Sequence, residues 1–404
     1  MSKSDLLFLV VVATLPIQLG KIFFLNHSFV LGIPIDYRAA TVYFSDIAII
    51  CYLTSFLIEY RKKLNQIFKA NWKIVLAILI FGIYLLITSY FSSISKPASF
   101  SYSLKIIEFS LLFLFASRTL KINRVKKAVV PVVAFSASWQ SALLILEFLF
   151  QKSLNLWFLG ERAFDASTPG IAHSQLFGQQ FLRPYGTFPH PNVAAAYLSI
   201  SLIVLVASWS RQKFSKTKII ILALIILAIA LTFSKATLIV LILSVFIKTN
   251  VGKNLWSIIA LTTVALWAIY NQIVSGQVAT IAERLLLIQS ALDITLINPL
   301  FGIGSNNFIL ELSRLDLTSL AETRLLQPVH NVFLLILAEN GLIGLLLFAF
   351  LMFSVIKNIN SKLKFTLFLA ILVYASIDHF LWTLHQGQLL FFLTLAYIVS
   401  YQKK

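Results

Sequence analysis

The chain has 404 residues, a formal net charge of +18 at pH 7 and 59% hydrophobic residues. Soluble domains are about 45–50% apolar, so this composition excludes an ordinary soluble globular protein and predicts a polytopic membrane protein. A nucleic-acid partner is not predicted, because the basic residues lie in short segments between apolar stretches and not on one soluble face. The single cysteine, Cys51, excludes an internal disulfide.

Twelve apolar stretches are candidates for membrane-spanning helices, each of which needs about 20 apolar residues. They lie at residues 5–24, 41–59, 73–91, 104–118, 128–150, 192–210, 218–233, 236–248, 255–272, 330–356, 365–384 and 387–401. The first stretch lacks the cleavage site of a signal peptide and is predicted to be the first span. The predicted fold class is therefore an all-α polytopic membrane protein, a single domain of about twelve transmembrane helices over residues 1–404.

Short basic loops alternate with these apolar stretches and hold most of the 33 lysine and arginine residues. Cytoplasmic loops of membrane proteins carry an excess of such residues. We therefore predict that both termini and all of these basic loops lie in the cytoplasm, and that the protein is a multi-pass protein of the inner (plasma) membrane.

Residues 218–248 allow two interpretations. One bent helix would reverse every later span and export the basic loop at residues 357–364. Two short helices that meet near Phe233, Ser234 and Lys235 keep all basic loops on one side of the membrane. We therefore predict two helices.

Two polar segments on the outer side are long enough to carry function, since most connections are shorter than about 12–15 residues. They lie at residues 151–192 and 271–329. Within the second segment, residues 282–294 have a helical pattern that Asn298 and Pro299 end, and we predict an amphipathic helix lying on the outer membrane surface. Gly302 and Gly304 then form a tight turn.

Under this topology, all six histidines and six of the arginines map to the outer half of the protein. These residues are His27, His173, His190, His330, His379, His385, Arg38, Arg162, Arg183, Arg284, Arg314 and Arg324. Guanidinium groups match phosphate oxygens with paired hydrogen bonds and stay charged when partly desolvated. The pattern predicts an outer cationic cavity for a lipid-linked phosphate or diphosphate, although a single arginine can also reach to lipid headgroups.

The segment RPYGTFPHPN at residues 183–192 combines Arg183 with a glycine and three prolines. We expect a rigid turn that presents Arg183 to the cavity, followed by a helix for which Asn192 is the natural N-cap. The alternative is a capped helix with an incidental histidine, His190.

The segment QPVHNVFLLILAENGLIG at residues 327–344 passes from polar to apolar within five residues. Pro328, His330 and Asn331 therefore lie at a helix N-terminus at the membrane boundary. The helix dipole disfavours a protonated His330, which makes its imidazole available as a general base. The alternative is that His330 only forms hydrogen bonds at the start of the helix. Glu339, within the apolar run, is predicted to be a structural hydrogen-bond partner.

Four segments occur in the order and spacing of one known family. They are RPYGTFPHPN (183–192), TFSKATL (232–238), AERLLLIQSALDI with NPLFGIGSNNF (282–308), and PVHNVFLLILAENGLIG (328–344). The chain resembles the O-antigen ligase/polymerase family (WaaL/Wzy-like integral membrane glycosyltransferases) over about residues 180–350. The resemblance implies transfer or polymerisation of glycans from an undecaprenyl-diphosphate donor at the outer face of the membrane, by an inverting reaction without a metal or other cofactor. Such enzymes build cell-envelope polysaccharides such as lipopolysaccharide.

The resemblance also implies roles for individual residues. Arg183 and Arg284 match arginines that hold the donor diphosphate, and His330 matches the histidine that activates the acceptor hydroxyl. Lys235 departs from the family, in which arginine usually follows the serine, and it keeps the charge but loses the paired hydrogen bonds. The predicted catalytic residues are His330, Arg284 and Arg183. The predicted substrate-binding residues are Lys235, His190, Asn192, Asn331 and Gly304.

The remaining carboxylates receive less weight. Asp378, beside His379, is predicted to be a structural partner rather than part of a second base pair, and Asp36 is a reserve candidate for a catalytic acid. No metal is predicted, since the sequence contains neither an Asp-x-Asp pair nor a His-Glu-x-x-His motif.

The expected partners are membrane lipid, the lipid-linked donor, and a glycan, lipid or protein acceptor. The alternative function is transport of a small anion such as bicarbonate. Transporters tend to have inverted repeats and broken helices at the midplane, and this sequence has no visible repeat.

Overall fold

The computed structural model describes residues 1–176, 178–210, 215–246, 278–315 and 326–400. These residues are mostly helical. Their helices are α1 (Lys3–Thr14), α2 (Phe44–Tyr60), α3 (Leu64–Ala70), α4 (Trp72–Phe91), α5 (Lys96–Thr119), α6 (Asn123–Phe150), α7 (Pro191–Trp209), α8 (Lys216–Leu231), α9 (Lys235–Phe246), α10 (Val278–Ile297), α11 (Phe308–Leu312), α12 (Val332–Ile356), α13 (Lys362–Ile377), α14 (Phe380–Thr383) and α15 (His385–Val399).

Three short antiparallel ribbons interrupt the helical architecture. β1 (Gly20–Phe23) pairs with β4 (Ala40–Tyr43), β2 (Phe29–Val30) with β3 (Ile33–Pro34), and β5 (His173–Leu176) with β6 (Gln179–Leu182). All three lie in connections between helices, so the predicted helical membrane architecture is confirmed in general and gains small sheets that the sequence pattern did not indicate.

Five helices of the described residues are long and apolar enough to cross a membrane, namely α4, α5, α6, α7 and α12. Their outward faces are apolar: on α4, for example, Leu79 and Ile83 are each 55% exposed. This suits contact with lipid tails, and the chain is a membrane protein. The predicted number of twelve spans is not confirmed, because only these five of the described helices are long and apolar enough. The predicted span at 255–272 lies outside the described residues.

The predicted first span at residues 5–24 is wrong in its extent. α1 ends at Thr14, and residues 20–23 form a strand instead. Pro16 has no N–H group with which to continue a helix. Its carbonyl group instead accepts hydrogen bonds from the side chains of Gln140 and Thr187, which ties this turn to α6 and to the segment before α7.

The prediction of two helices in residues 218–248 is confirmed for the described part. α8 ends at Leu231 and α9 begins at Lys235. Between them Phe233 has a φ of 52°, in the left-handed region, which is incompatible with a continuous helix. The break leaves the backbone carbonyl of Thr232 available to a partner outside the helix.

A helix is also present where the amphipathic helix was predicted, but its two faces are more alike than expected. In α10 the side chains of Leu287, Ala291 and Ile294 are buried, and those of Leu285 and Leu296 on the other side are 61% and 76% exposed. Both faces are therefore largely apolar. A long outer loop over residues 271–329 is not confirmed, because helices α10 and α11 occupy much of its described part.

A close backbone contact joins the segment after α10 to the middle of α12. α12 is kinked at Gly341, whose φ is 64°. Beside the kink, the N–H groups of Leu342 and Gly304 donate to the carbonyls of Pro299 and Glu339, each at 2.8 Å. A Cβ atom on Gly341 would lie 2.3 Å from the carbonyl group of Leu300, so only glycine fits here.

The substitution Gly341→Ala should destabilise the fold. A positive φ with a ψ of −174° is a conformation almost confined to glycine and costs about 1–3 kcal/mol for an L-residue, and the clash with Leu300 adds to it. We expect a lower midpoint of thermal unfolding in detergent than for wild type. Gly82→Ala is the control, because a Cβ atom there would make only an ordinary contact of 3.4 Å with Ile107. Equal midpoints for both variants would contradict this account.

Candidate active site

A cavity of about 390 Å³ lies between the loop that follows α1, the segment before α7, the start of α12 and the segment after α13. Tyr37, Tyr43 and Trp157 contribute aromatic surface to its lining. Its acidic and basic lining residues are Asp36, Glu161, Arg162, His190, His330, Asp378, His379 and His385. Four of the six histidines therefore share one cavity.

His330 and Asp378 face each other in this cavity. Asn331 is the N-cap of α12, where its Oδ1 atom accepts a hydrogen bond from the Leu334 N–H at 3.0 Å. This fixes His330 immediately before the helix, as predicted. Asp378 is the C-cap of α13. The Nδ1 atom of His330 lies 3.4 Å from Asp378 Oδ1, and the His330 side chain is 20% exposed.

The carboxylate of Asp378 is held by two further donors. Its Oδ1 atom accepts from the backbone N–H of His379 at 2.7 Å, and its Oδ2 atom accepts from the Nδ2 of Asn192 at 2.8 Å. Asn192 in turn accepts from Arg183 at 2.7 Å, and the Nε of Arg183 donates to the Thr232 carbonyl at 2.7 Å. One continuous network therefore runs from His330 to the break between α8 and α9.

The prediction that Asn192 is the N-cap of α7 is wrong, and its side chain takes part in this network instead. His190 is the N-cap, and its Nδ1 atom accepts from the Asn192 N–H at 3.1 Å. Pro191 occupies the first helical position, where it is tolerated because its missing N–H would have no partner in the helix. The Asn192 side chain is consequently available to connect Arg183 with Asp378.

Arg284 and Lys235 lie near Arg183. The NH1 atom of Arg284 is 3.4 Å from the carbonyl of Ile377, next to Asp378. Lys235 is close enough to both arginines for their positive charges to act on its ammonium group. These three cations, hereafter the cation cluster, come from three distant parts of the sequence.

The charge states of the site follow from burial and neighbouring groups. Burial alone would raise the pKa of Asp378, but the hydrogen bond from His330 and the neighbouring histidines hold it well below its usual value. Burial lowers the pKa of His190 and of His379 to about 3 in each case. Burial also lowers the pKa of Arg183 to about 10. At neutral pH the site therefore combines a charged carboxylate, two neutral imidazoles and a charged guanidinium.

The structure separates other predicted residues from this site. Gly304 packs against Ser93, away from the cavity lining, and has a φ of 91° that suits a turn. The Nδ2 of Asn331 donates to the Ser376 carbonyl at 3.1 Å, so Asn331 supports the site structurally. Glu339 accepts from the Phe308 N–H at 3.1 Å, as expected for a structural carboxylate.

The six arginines that were predicted to lie on the outer side do not form one group. Arg38 is buried and donates to the carbonyl of His27 and to residues 306–307, which anchors the first loop. Arg162 lines the cavity. Arg314 pairs with Glu311 at 3.1 Å, and Arg324 lies outside the described residues.

Sequence reasoning missed Asp378 as the partner of His330. The available signal was the pair Asp378-His379 at the end of an apolar helix, since ionisable residues are costly there and usually functional. The prediction treated Asp378 as a bundle hydrogen-bond partner. What could not be read from the sequence was that the ends of α7, α12 and α13 meet.

The same residues have ligand atoms suited to a metal ion. The candidate atoms of His330, Asp378 and His379 all lie within 4.8 Å of one another. Imidazole nitrogen and carboxylate oxygen are common zinc ligands. The expectation that no metal takes part therefore stays a prediction, which activity in the presence of a chelator tests directly.

The buried histidines predict a pH dependence of stability. Because His190 and His379 have a pKa near 3 in the folded protein, against about 6.5 when unfolded, their contribution is complete above pH 6.5 and is lost as the pH falls towards 3. The loss reaches about 1.4 kcal/mol per pH unit for each histidine. Asp378 adds almost no slope above about pH 5, because its carboxylate is ionised there in both the folded and the unfolded protein.

We therefore expect the midpoint of thermal unfolding in detergent to fall between pH 7.5 and pH 5, and to fall less in His379→Gln. His173→Gln, outside the cavity, is the control and should keep the wild-type slope. An unchanged slope in His379→Gln would contradict the assignment of a neutral buried imidazole.

Comparison with known proteins supports the resemblance found in the sequence. Residues 192–349 match the model of the O-antigen ligase family (Wzy_C). No curated protein matches the chain. The matched segment contains Asn192, Lys235, Arg284 and His330, whereas Arg183 and Asp378 lie outside it. The match gives no support to the transporter alternative and indicates O-antigen ligase/polymerase-type glycan transfer in general. Over residues 192–349 this membrane protein is therefore similar to the O-antigen ligase family.

Proposed function

We propose that this chain transfers a glycan from an undecaprenyl-diphosphate carrier to an acceptor hydroxyl, without a metal ion and with inversion at the anomeric carbon. The reaction takes place at the outer face of the cytoplasmic membrane, with both termini of the chain in the cytoplasm. The observation that carries the proposal is the network that joins His330 in the cavity, through Asp378 and Asn192, to Arg183 in the cation cluster.

The transfer requires the acceptor oxygen, the anomeric carbon and the leaving oxygen of the diphosphate to lie in line. A base must lie beside the acceptor hydroxyl. The acceptor oxygen forms a bond to the anomeric carbon as the bond between that carbon and the diphosphate oxygen breaks. The hydroxyl proton passes to His330, and the polyprenyl diphosphate leaves with the electron pair. Attack from the side opposite the leaving group inverts the configuration.

The contact with Asp378 suits His330 for this role. If Nδ1 carries the proton and donates to the carboxylate 3.4 Å away, then Nε2 has a free lone pair for the acceptor proton. The carboxylate also stabilises the imidazolium that forms, as in other pairs of histidine and carboxylate. A positioned general base of this kind contributes about 10²–10⁴-fold to the rate.

The cation cluster suits the leaving group. Negative charge grows on the diphosphate as the bond breaks, and fixed cations aimed at that charge contribute roughly 3–4 kcal/mol per well-placed donor. Arg183 is fixed by its hydrogen bonds to Asn192 and to the Thr232 carbonyl, so it needs little reorganisation. Lys235 offers a point charge in place of paired hydrogen bonds, which suits a terminal phosphate oxygen.

Replacement of the base or of a cluster arginine should abolish most of the activity. With purified protein in liposomes and an undecaprenyl-diphosphate oligosaccharide, we expect His330→Ala to slow release of polyprenyl diphosphate by about 10²–10⁴-fold. We expect Arg284→Ala to slow it by about 10²-fold or more. Transfer should persist in the presence of a chelator.

Arg314→Ala is the matched control, because Arg314 is an arginine whose side chain is 55% exposed, pairs locally with Glu311 and does not line the described cavity. It should keep wild-type activity. Full activity in His330→Ala or Arg284→Ala would refute the assigned site. Anion uptake into the same liposomes, without glycan transfer, would favour the transporter alternative.

The role of Asp378 has its own test. Asp378→Asn keeps the size of the side chain but removes the charge that stabilises the imidazolium. We expect kcat to fall by roughly 10²-fold or more with little change in KM, since the effect is felt mainly in the transition state. Glu311→Gln, a carboxylate remote from the cavity, is the control. A change in KM alone would instead assign Asp378 to substrate binding.

A further inference from the structure

The cavity and the cation cluster lie on different sides of the Asp378 carboxylate. Oδ1 of Asp378 faces His330, whereas Oδ2 faces Asn192, through which Arg183 is reached. Arg183, Arg284 and Lys235 are not among the residues that line the cavity. The space in front of His330 is therefore separate from the place where the cations gather.

This division bears on which substrate enters the cavity. In an inverting transfer the incoming hydroxyl and the leaving diphosphate occupy opposite sides of the anomeric carbon. If the cation cluster holds the diphosphate, the acceptor approaches from the other side, where His330 can take its proton. That side is the cavity.

We propose that this cavity is a binding site for a saccharide acceptor, recognised by Asp36, Tyr37, Trp157 and Arg162. The proposal rests on the function proposed above and deepens it, because it selects a glycan over a protein as acceptor and assigns the residues that read it. These four residues, hereafter the acceptor wall, come from the first loop and from the segment before α7.

The acceptor wall has the chemistry that a sugar requires. A sugar ring presents C–H groups on its faces and hydroxyl groups around its rim, so it suits aromatic surfaces flanked by hydrogen-bonding groups. Trp157 and Tyr37 supply the aromatic surfaces, Asp36 accepts hydrogen bonds, and Arg162 donates them. Burial raises the pKa of Tyr37 to about 12, so its hydroxyl group keeps its proton and can donate as well.

Tyr37 also places the acceptor wall next to the base. Its ring meets that of His379 edge to face, with ring centroids 5.6 Å apart. The His379 ring lies 5.1 Å from that of His330. The His379 ring therefore links Tyr37 to the base, and a sugar bound over Tyr37 lies in the cavity that His330 also lines.

The backbone that carries Trp157 is fixed, although the side chain itself is 69% exposed. Leu159 accepts a hydrogen bond from the Gln18 N–H at 3.1 Å, and Gly160 packs directly on the backbone of Gln18. The buried Glu161 carboxylate accepts from the N–H groups of Leu154 and Leu156. An exposed tryptophan on such a fixed turn is a preformed stacking surface.

Arg162 is likewise held in place. Its NH2 atom donates to the Pro189 carbonyl at 2.8 Å, and its guanidinium lies over the Tyr185 ring at 5.5 Å. The remaining N–H groups of the guanidinium are then available to a ligand without loss of side-chain freedom. Arg162 therefore serves as a fixed donor at the cavity edge.

The binding space continues past the acceptor wall. A second chamber of about 180 Å³ shares part of its lining with the cavity. The shared residues are Asp36, Tyr37, Thr41, Tyr43, Thr383 and His385. Two adjacent chambers with common lining residues fit an acceptor of more than one sugar unit better than a single monosaccharide.

The experiment measures acceptor and donor kinetics separately in liposomes. The donor is an undecaprenyl-diphosphate oligosaccharide, and the acceptor is the same oligosaccharide released from its lipid. For Trp157→Ala and for Asp36→Asn we expect KM for the released oligosaccharide to rise by about fivefold to tenfold or more, with KM for the donor within about twofold of wild type. Trp72→Ala is the matched control, since Trp72 is 57% exposed and lies at the start of α4, away from the cavity.

Each other outcome overturns the proposal. A rise in KM for the donor alone would place the donor sugar in the cavity. Unchanged KM values would make Trp157 a membrane-interface anchor, a common role of exposed tryptophan. Transfer by wild type to a serine-containing peptide but not to the released oligosaccharide would assign a protein acceptor. Absence of transfer to water, saccharide and peptide alike would refute the proposed function itself. The outcomes above refute only the acceptor site, so failure of the acceptor site and failure of the function are distinguishable.

Discussion

The ionised carboxylate of Asp378 is the constraint on which the site depends. A buried carboxylate is costly unless donors surround it. Here the donors are a backbone N–H, the Asn192 side chain and, opposite Oδ1, His330. Because these groups belong to the ends of α7, α12 and α13, satisfying one charge brings three helix termini together. The same charge orients the histidine and, through Asn192, the arginine.

Two irregularities in the helices, at Phe233 and at Gly341, also allow contacts between distant segments. A continuous helix satisfies all of its own backbone groups, so it offers none to a ligand or to a side chain. The break at Phe233 frees the Thr232 carbonyl for Arg183. The kink at Gly341 lets the segment that follows α10 pack against α12. At both of these positions, other parts of the protein contact the irregular backbone.

The arrangement places two chemically different surfaces, the cation cluster and the cavity, on either side of Asp378. Positive charge is concentrated on one side of Asp378, while aromatic and hydroxyl-binding groups lie on the other. A diphosphate is attracted by charge, and a neutral saccharide by shape and hydrogen bonds. Under the proposed function, His330 lies between these two surfaces, and each substrate has its own recognition chemistry.

The sequence by itself determined that this is a helical membrane protein, because composition and the length of apolar stretches have direct physical consequences. It also indicated the break near Phe233 and the placement of His330 before a helix, since these follow from local patterns of polar, glycine and proline residues. The grouping of Arg183, Arg284, Lys235 and His330 came from the resemblance of four segments to one family, and the family match covers residues 192–349.

Only the tertiary structure decided which residues meet. Asp378 follows His330 by 48 positions, and no local pattern reports that their helix ends are adjacent. Tertiary contacts likewise set the extent of α1, because Gln140 and Thr187 hold Pro16 in the turn after it. His190 caps α7 while the Asn192 side chain binds Asp378. Gly304 lies against Ser93 and therefore outside the cavity lining. Periodicity and propensity act over a few residues, whereas a buried charge finds its partners across the whole chain.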